Sequence, residues 1–478
     1  MGHHIITEIE NEKFEFTKRS RTIVGAIFVI GLILSIIGAI QIKGDHGAES
    51  HDSDATEQHD AEEHAMNAET PASFASLQHG EEDAHAAPEH DAHEADEHAA
   101  SADHGDSGHG GGSWLARLWS NILMNSYYFM LFAIAALFFI AVNYAANAGW
   151  ATLVKRVAEA ITSYLPVAFL TIVVVIILGH GELYHWIHYF KEGYEVGDPG
   201  YDKIMESKAW FLNNGWFFAG VPIIMIIWIL FRTKLRNLSL KEDENGGTDY
   251  FKKSIRFSAG FIVFFAFSFS ILSWLVMMSL DAHWFSTIYS VYNFAIAFVT
   301  GLTVICLFTL YLKSKGYMSA VSDEVVHDLG KFMFAFSIFW AYIFIAQYLL
   351  IWYANLPEEV IYFQMRTSDT FRPLFRTNII MSFFLPFLIL MMRNAKRNPK
   401  VLMLAGVIIL VGHWIDLYLM VMPATVGDSA SIGLLEIGMT MTFAGFFIYW
   451  VLNSLSKKPL YPMNHPYLLE SVNHDVGV

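Results

Sequence analysis

Runs of about twenty apolar residues recur along most of this chain, and they constrain its fold more than any other feature. A helix of that length crosses the hydrocarbon core of a bilayer, whereas a membrane barrel would show short alternating segments. The runs lie at about 22–42, 125–147, 160–180, 210–231, 256–280, 289–311, 331–353, 375–392, 401–420 and 432–452. The sequence therefore predicts an all-α integral membrane protein with about ten transmembrane helices.

Composition excludes several classes of function. The net charge of -16 is mostly local, because residues 43–112 hold 19 Asp and Glu and one Lys. A nucleic-acid partner therefore has no support. The single cysteine, Cys306, allows neither a disulfide within the chain nor a thiolate iron–sulfur cluster, and no C-x-x-C-H haem motif is present. We expect no metal or cofactor bound by this chain.

Lys and Arg residues predict the orientation. If the N-terminus is cytoplasmic, 22 of the 30 Lys and Arg residues fall on the cytoplasmic side. This asymmetry predicts a multi-pass protein with both termini in the cytoplasm. The first run is followed by no small-residue cleavage site, so we expect it to stay as a membrane helix.

The runs also predict the division of the chain. We expect two four-helix bundles, 113–280 and 281–420, and two peripheral helices. Residues 1–42 would hold the cytoplasmic N-terminus and first helix, and 421–478 the last helix and a cytoplasmic tail. Residues 43–112 contain 11 His and few large apolar residues, which predicts a disordered acidic periplasmic segment. A metal or proton buffer is the alternative, but the His spacing is irregular.

Ionisable residues inside a membrane are costly and usually functional. In the predicted orientation they gather in the outer half, and the proton-conducting candidates are Asp281, His283, His413, Asp416 and Glu436. The inner half offers weaker polar groups such as Ser268, Ser270 and Tyr342, and no buried acid is predicted there.

Each candidate has a plainer interpretation. His413 and Asp416 are three residues apart and share a helix face, which suits proton exchange or a structural interhelical bond. Asp281, His283 and Glu436 could instead sit at the headgroup level. Gln347 lies in the outer part of its helix, near the aromatic residues Tyr348 and Trp352, which could be an interfacial belt. A haem held by His180 and His413 is not favoured by their surroundings.

Three stretches resemble a known family. They are 341-AYIFIAQYLLIWYANLPEEVIYFQMR-366, 281-DAHWFSTIYSVY-292 and 412-GHWIDLYLMVMP-423. They resemble the membrane subunits of bacterial alternative complex III, which belong to the NrfD-like family together with the membrane subunit of polysulfide reductase. The separate first helix and the His-rich segment look most like the second of two paralogous subunits.

The resemblance implies a function and partners. It implies two four-helix bundles in a bacterial inner-membrane complex that oxidises quinol (menaquinol among the possible substrates) and reduces cytochrome c. Its partners would be a paralogous NrfD-like subunit and subunits that carry c-type haem and iron–sulfur clusters. In the redox-active paralog, a His at a helix end and an Asp on the next helix are thought to receive quinol.

This chain departs from that pattern. His180 in 178-LGHGE-182 matches the His, but 210–231 contains no Asp or Glu. The quinone-pocket candidates are His180, Gln347, Tyr348 and Trp352. The resemblance thus implies a non-cofactor subunit of a quinol:cytochrome c oxidoreductase, one that forms a quinone pocket, conducts protons near the outer face, or does both. The alternatives are a proton-coupled secondary transporter and a structural membrane anchor.

Overall fold

The fold is helical throughout the part of the chain that can be described. The structure, a computed structural model, describes residues 12–63, 113–194 and 196–474, and these contain no β-strand. Ten of the described helical segments are long and apolar enough to cross a membrane. The predicted all-α membrane fold is confirmed.

Each of the ten segments overlaps one of the ten apolar runs, although several begin or end about ten residues or more away from the run. They are α1 Lys18–Glu63, α2 Trp114–Ala145, α3 Trp150–Leu178, α4 Trp216–Asn245, α5 Asp249–Leu280, α6 Tyr289–Ser314, α7 Asp323–Ala354, α8 Arg372–Leu390, α9 Pro399–Thr425 and α10 Leu434–Leu455. Short helices lie between or after them at His180–Leu183, His185–Glu192, Lys203–Lys208, Pro357–Arg366, Arg393–Arg397 and Leu468–Val472.

Local capping fixes where several of the long helices begin. The Ser113 hydroxyl accepts a hydrogen bond from the amide of Ala116 at the start of α2, and Ser322 does the same for α7. The side chain of Asn398 accepts from the amide of Lys400, and Pro399 follows at the first position of α9. Such caps satisfy amides that a helix leaves free. They therefore set the register of α7 and α9, which carry several candidate residues.

The helices pack as two rings of four. In the first ring α2 contacts α3 and α5, and α4 lies between α3 and α5. In the second ring α6 contacts α7 and α9, and α8 lies between α7 and α9. The rings meet where α2 packs on α6. A Cβ atom at Gly301 of α6 would lie 2.4 Å from that of Ala135 in α2, so a glycine is needed at this crossing.

The third helix of each ring is interrupted in the same way. In α4 a π-helical turn, Trp216–Gly220, comes just before Pro222, and in α8 a π-helical turn, Ile380–Phe384, comes just before Pro386. A proline cannot donate to the helix ladder, and a π-turn re-aims the side chains around it. The two rings therefore carry a matched irregularity, and in α8 it faces the site described below.

Helices α1 and α10 pack on each other outside the rings. A Cβ atom at Gly438 of α10 would lie 2.4 Å from the amide nitrogen of Ser35, and one at Gly31 would lie 2.5 Å from that of Thr442. α10 in turn contacts α2. Close backbone contact through small residues is how membrane helices associate.

The acidic segment forms a separate unit. The chain divides into one unit of 1–41 with 111–478 and a second unit of 42–110. In the second unit, α1 continues as helix to Glu63, past the predicted end of the first span. The predicted disorder and metal binding of the remainder, 64–112, fall outside the described residues.

Candidate functional site

The outer cluster

The orientation predicted from the sequence assigns one end of the helix bundle to the outer face of the membrane and the other end to the inner face. The predicted outer face is the end that holds Ser113, Asp281 and Thr425, and the predicted inner face is the end that holds Ala145 and Asn245. Buried polar side chains gather near both ends.

Asp416 of α9 is the centre of the cluster toward the predicted outer face. Its carboxylate, with a residue exposure of 2%, accepts hydrogen bonds from Tyr292 Oη at 2.5 Å, Trp340 Nε1 at 2.9 Å and Asn378 Nδ2 at 2.9 Å. Donors from α6, α7 and α8 therefore converge on one carboxylate. Three donors directed at a buried carboxylate satisfy its oxygens and fix its position.

The π-helical turn of α8 builds part of this arrangement. Ser382, inside the turn, donates a 2.7 Å hydrogen bond to Asn378 Oδ1, and this leaves the Asn378 amide nitrogen for Asp416. A Cβ atom at Gly412 would lie 2.7 Å from Ser382 Oγ, so α9 and the turn are in direct contact. The irregular backbone of α8 and Gly412 together allow α8 to approach Asp416 this closely.

His413 lies beside Asp416 and is fully buried. Its Nδ1 is 3.6 Å from Asp416 Oδ2, slightly too far for a hydrogen bond, and the Trp340 ring packs against it edge to face. Neither ring nitrogen has a hydrogen-bond partner among the described residues. A neutral imidazole always has one N–H, so the buried donor lacks an acceptor at a cost of about 1–3 kcal/mol. A shift of a few tenths of an ångström would bring His413 Nδ1 within hydrogen-bond distance of Asp416 Oδ2.

A small cavity opens on the other side of Asp416. Its volume is about 20 Å³, room for about one water molecule. The lining residues include Asp416, Tyr292, Gln347, Arg366 and Asn378. Gln347 Nε2 and Arg366 Nε are buried without a hydrogen-bond partner in the described part of the chain. The cavity thus joins an acidic group to two donors that lack acceptors.

Arg366 connects this cavity with Asp281. Its guanidinium donates to Asp281 Oδ2 at 2.8 Å, to the Met420 carbonyl at 3.0 Å and to the Tyr362 carbonyl at 2.9 Å. It also stacks 3.4 Å above the Tyr362 ring. Burial lowers the pKa of Arg366, but Tyr362 and Asp281 more than offset this and raise it overall. The Asp281 side chain is 16% exposed, so the cluster reaches the protein surface through this carboxylate.

The structure separates the other predicted residues from this cavity. Glu436 is fully buried, pairs with Arg117 at 2.8 Å and accepts from the amide of Gly433, so it caps α10 and ties it to α2. The His283 side chain is 66% exposed and pairs with Asp202 in a loop. Burial raises the pKa of Asp202, but hydrogen bonds from His283 and two backbone amides lower it overall.

Of the four quinone-pocket candidates, only Gln347 lines the cavity beside Asp416. Gln347 lines the cavity, whereas Tyr348 and Trp352 are 37% and 64% exposed and do not line it. His180 bonds to the Ile177 carbonyl at 3.1 Å and packs on Phe218 in the first ring, away from the second ring that carries His413.

The inner cluster and the comparisons

A second buried cluster lies toward the predicted inner face, where no buried acid was predicted. Lys155 is paired with Glu242 at 3.7 Å, and Glu159 is paired with Arg156 at 2.6 Å and with Arg236. Glu242 and Glu159 are 0% and 4% exposed. All of these charged residues lie outside the apolar runs at 160–180 and 210–231, but α3 begins earlier and α4 ends later than those runs.

The C-terminal tail covers this inner cluster. His465 of the tail lines a cavity of about 20 Å³ together with Tyr144, Thr152 and Lys155. Burial, with the charges of Lys155 and Arg156, moves the pKa of His465 well below its usual value. Its Nδ1 accepts a 3.2 Å hydrogen bond from the amide of Tyr467, which requires that nitrogen to be unprotonated. His465 is therefore held neutral.

Several site residues were missed by sequence reasoning. Tyr292, Trp340, Asn378 and Arg366 were not singled out, because each looks ordinary in its own helix. Arg366 lies in the segment between the apolar runs 331–353 and 375–392. The one available signal was the spacing of Tyr362 and Arg366, which are four residues apart and share a helix face.

Comparisons with known proteins give no family assignment: no family model matches the chain, and no curated protein matches it. Among the described residues, no group of three or more His, Cys, Asp or Glu side chains has the arrangement of a metal site.

Proposed function

We propose that this chain is a membrane subunit of a respiratory quinol:cytochrome c oxidoreductase, where it conducts protons near the outer face. In this proposal the complex lies in a bacterial inner membrane, with both chain termini in the cytoplasm. The partners would be a paralogous NrfD-like subunit and subunits that carry c-type haem and iron–sulfur clusters. The three stretches of family resemblance suggest this assignment.

The observation that supports the proposal best is the connection from Asp416 to the surface. The buried carboxylate of Asp416, which accepts hydrogen bonds from Tyr292 and Asn378, lines the same water-sized cavity as Arg366. Arg366 in turn donates a hydrogen bond to the partly exposed Asp281. Oxidation of a quinol releases protons, so a carboxylate that exchanges protons with the outer phase suits this reaction. Arg366 stays protonated and therefore positions Asp281 rather than carrying a proton itself.

The size of the cavity favours proton transfer over quinone binding. About 20 Å³ holds one water molecule, whereas ligand pockets are usually about 300–1,000 Å³. A quinone ring would need the side chains around Gln347 and Phe363 to move apart. We therefore assign the cluster to proton exchange and leave Gln347 as the residue that would contact a quinone if the cavity opens.

A proton-coupled transporter is the second candidate. The matched π-turns before Pro222 and Pro386 favour it, because transporters often have broken helices at corresponding positions of two repeats. The buried charges, however, lie toward the two faces rather than at the middle of the helices. That distribution suits two proton half-paths better than a central substrate site.

Purification from native membranes in mild detergent, followed by mass spectrometry, tests the proposal. We expect multihaem cytochrome and iron–sulfur subunits, a second protein with the same two-ring pattern, and quinol-dependent reduction of cytochrome c. A chain that purifies alone or as a homo-oligomer would contradict the respiratory assignment and make the transporter the leading candidate.

A further inference from the structure

A long apolar groove lies between the rings and the peripheral helices. Its volume is about 680 Å³, far larger than the two polar cavities and within the range of ligand pockets. Helices α2, α6, α9 and α10 form its walls, and the first turns of α1 cover one end. Along α10 it runs from Ile437 to Leu452, about 22 Å at 1.5 Å per residue, against a hydrocarbon core of about 30 Å.

Two hydroxyls in the middle of the groove bond to backbone carbonyls, and the buried indole N–H of Trp414 has no hydrogen-bond partner among the described residues. The hydroxyl of Tyr128 donates to the Leu410 carbonyl at 2.6 Å, and that of Thr440 donates to the Glu436 carbonyl at 2.8 Å. The remaining walls are branched and aromatic side chains such as Phe132, Leu307 and Met441. This surface suits a flexible hydrocarbon chain. A partner helix would prefer small residues at its contact, and few line the groove.

The end of the groove at the predicted inner face is different, because it is polar and basic. Lys315 and Ser20 line it, and Lys315 is exposed. Lys18 and Arg19, also exposed, precede Ser20 at the start of α1, whose first turn has no acidic residue. Lysine near a membrane surface attracts anionic headgroups.

We propose that this groove binds one membrane phospholipid with an anionic headgroup. Its acyl chain lies along Phe132, Leu307 and Met441, and its phosphate lies beside Lys315 and Ser20. The lipid fills the space between α10 and the rings and so contributes to holding the α1–α10 pair in place. This site is independent of the proton cluster and of the proposed function.

Photolabelling of the purified native complex tests the site. The probe is phosphatidylglycerol with a photoreactive group in its acyl chain, and labelled peptides are identified by mass spectrometry. We expect labels on the α2, α6 and α10 residues that line the groove. We also expect K315E to reduce this labelling at least fivefold, whereas K457E, which changes an exposed Lys at the same face, leaves it unchanged.

A second variant separates loss of the site from loss of folding. Val304→Trp narrows the middle of the groove and keeps Lys315, so it should reduce labelling of the groove residues while Cys306 stays protected from thiol reagents as in the wild type. The proposal is overturned if the groove residues are not labelled, if K315E and K457E label equally, or if phosphatidylcholine labels as strongly as phosphatidylglycerol. Displacement of the probe by menaquinone at equal concentration would also overturn it in favour of a quinone tail.

Discussion

Arg366 donates a 2.8 Å hydrogen bond to Asp281, and this pair joins the surface of the protein to the cavity that Asp416 lines. Arg366 is 2% exposed and Asp281 is 16% exposed at its side chain, so the pair is largely shielded from water. A guanidinium in this position must stay paired, since an isolated buried charge is very costly.

Replacement of Arg366 is therefore expected to destabilise the fold. We predict that R366Q lowers the free energy of unfolding by about 3–5 kcal/mol, because Asp281 and two carbonyls lose their donor. The sole cysteine, Cys306, is fully buried, so its reaction with a thiol-reactive fluorophore during heating reports unfolding. R376Q, at an exposed Arg of α8, should be neutral, and equal melting of both variants would contradict the prediction.

The Lys155–Glu242 pair near the predicted inner face should also stabilise the fold, and the effects of replacing its two members should not be additive. We predict that K155M lowers the melting temperature and that the double variant K155M/E242Q recovers most of the loss, because the unpaired carboxylate is then gone. K252M is the matched control at an exposed Lys. Strictly additive effects of the two substitutions would show that the groups do not interact.

The contact of α1 with α10 depends on glycine. We predict that G438L separates the two helices, because its Cβ would lie 2.4 Å from the Ser35 amide nitrogen. Gly25 has open space where a Cβ would be, so G25L should have no effect. Crosslinking of cysteines introduced at Phe28 and Phe446, whose rings contact each other across the two helices, with a short thiol crosslinker in a Cys306→Ser background measures the separation. Equal crosslinking in both variants would exclude this role of Gly438.

The pH dependence of the C-terminal tail follows from His465. Its pKa is lowered in the folded protein, so the unfolded chain binds the extra proton. The contribution of His465 to the free energy of unfolding is therefore fully present above pH 6.5. It falls as the pH drops below that value, by up to about 1.4 kcal/mol per pH unit. H465N should flatten this slope between pH 6.5 and 5, as measured by Cys306 labelling. A slope identical to that of the wild type would mean that another group causes it.

The ten helices could be predicted because each apolar run is by itself sufficient to specify a transmembrane helix. A run of twenty apolar residues has one low-energy conformation in a membrane, the α-helix, and this does not depend on the rest of the chain. The ends of α3 and α4 could not be predicted as well. Lys155 and Glu242 look like loop charges until the packing of the two helices and the tail shows that they pair and are buried.

The candidate site was predicted only in part, for the same reason. His413 and Asp416 could be found because they share one helix and an ionisable group there is rare. The donors to Asp416 come from three other helices, and the π-turn that places Asn378 has no clear signal in the sequence. Glu436 looked equivalent to Asp416 but proved to be a helix cap paired with Arg117, which depends on α2.

Proton release by the purified complex during quinol oxidation tests the central claim most directly, with D416N compared with E436Q. Both variants neutralise a buried carboxylate toward the predicted outer face, and only Asp416 lines the cavity. We predict that D416N slows proton release and cytochrome c reduction about 100-fold while Cys306 stays protected, and that the E436Q complex keeps the wild-type rate. A D416N complex that releases protons as fast as the E436Q complex would contradict the account.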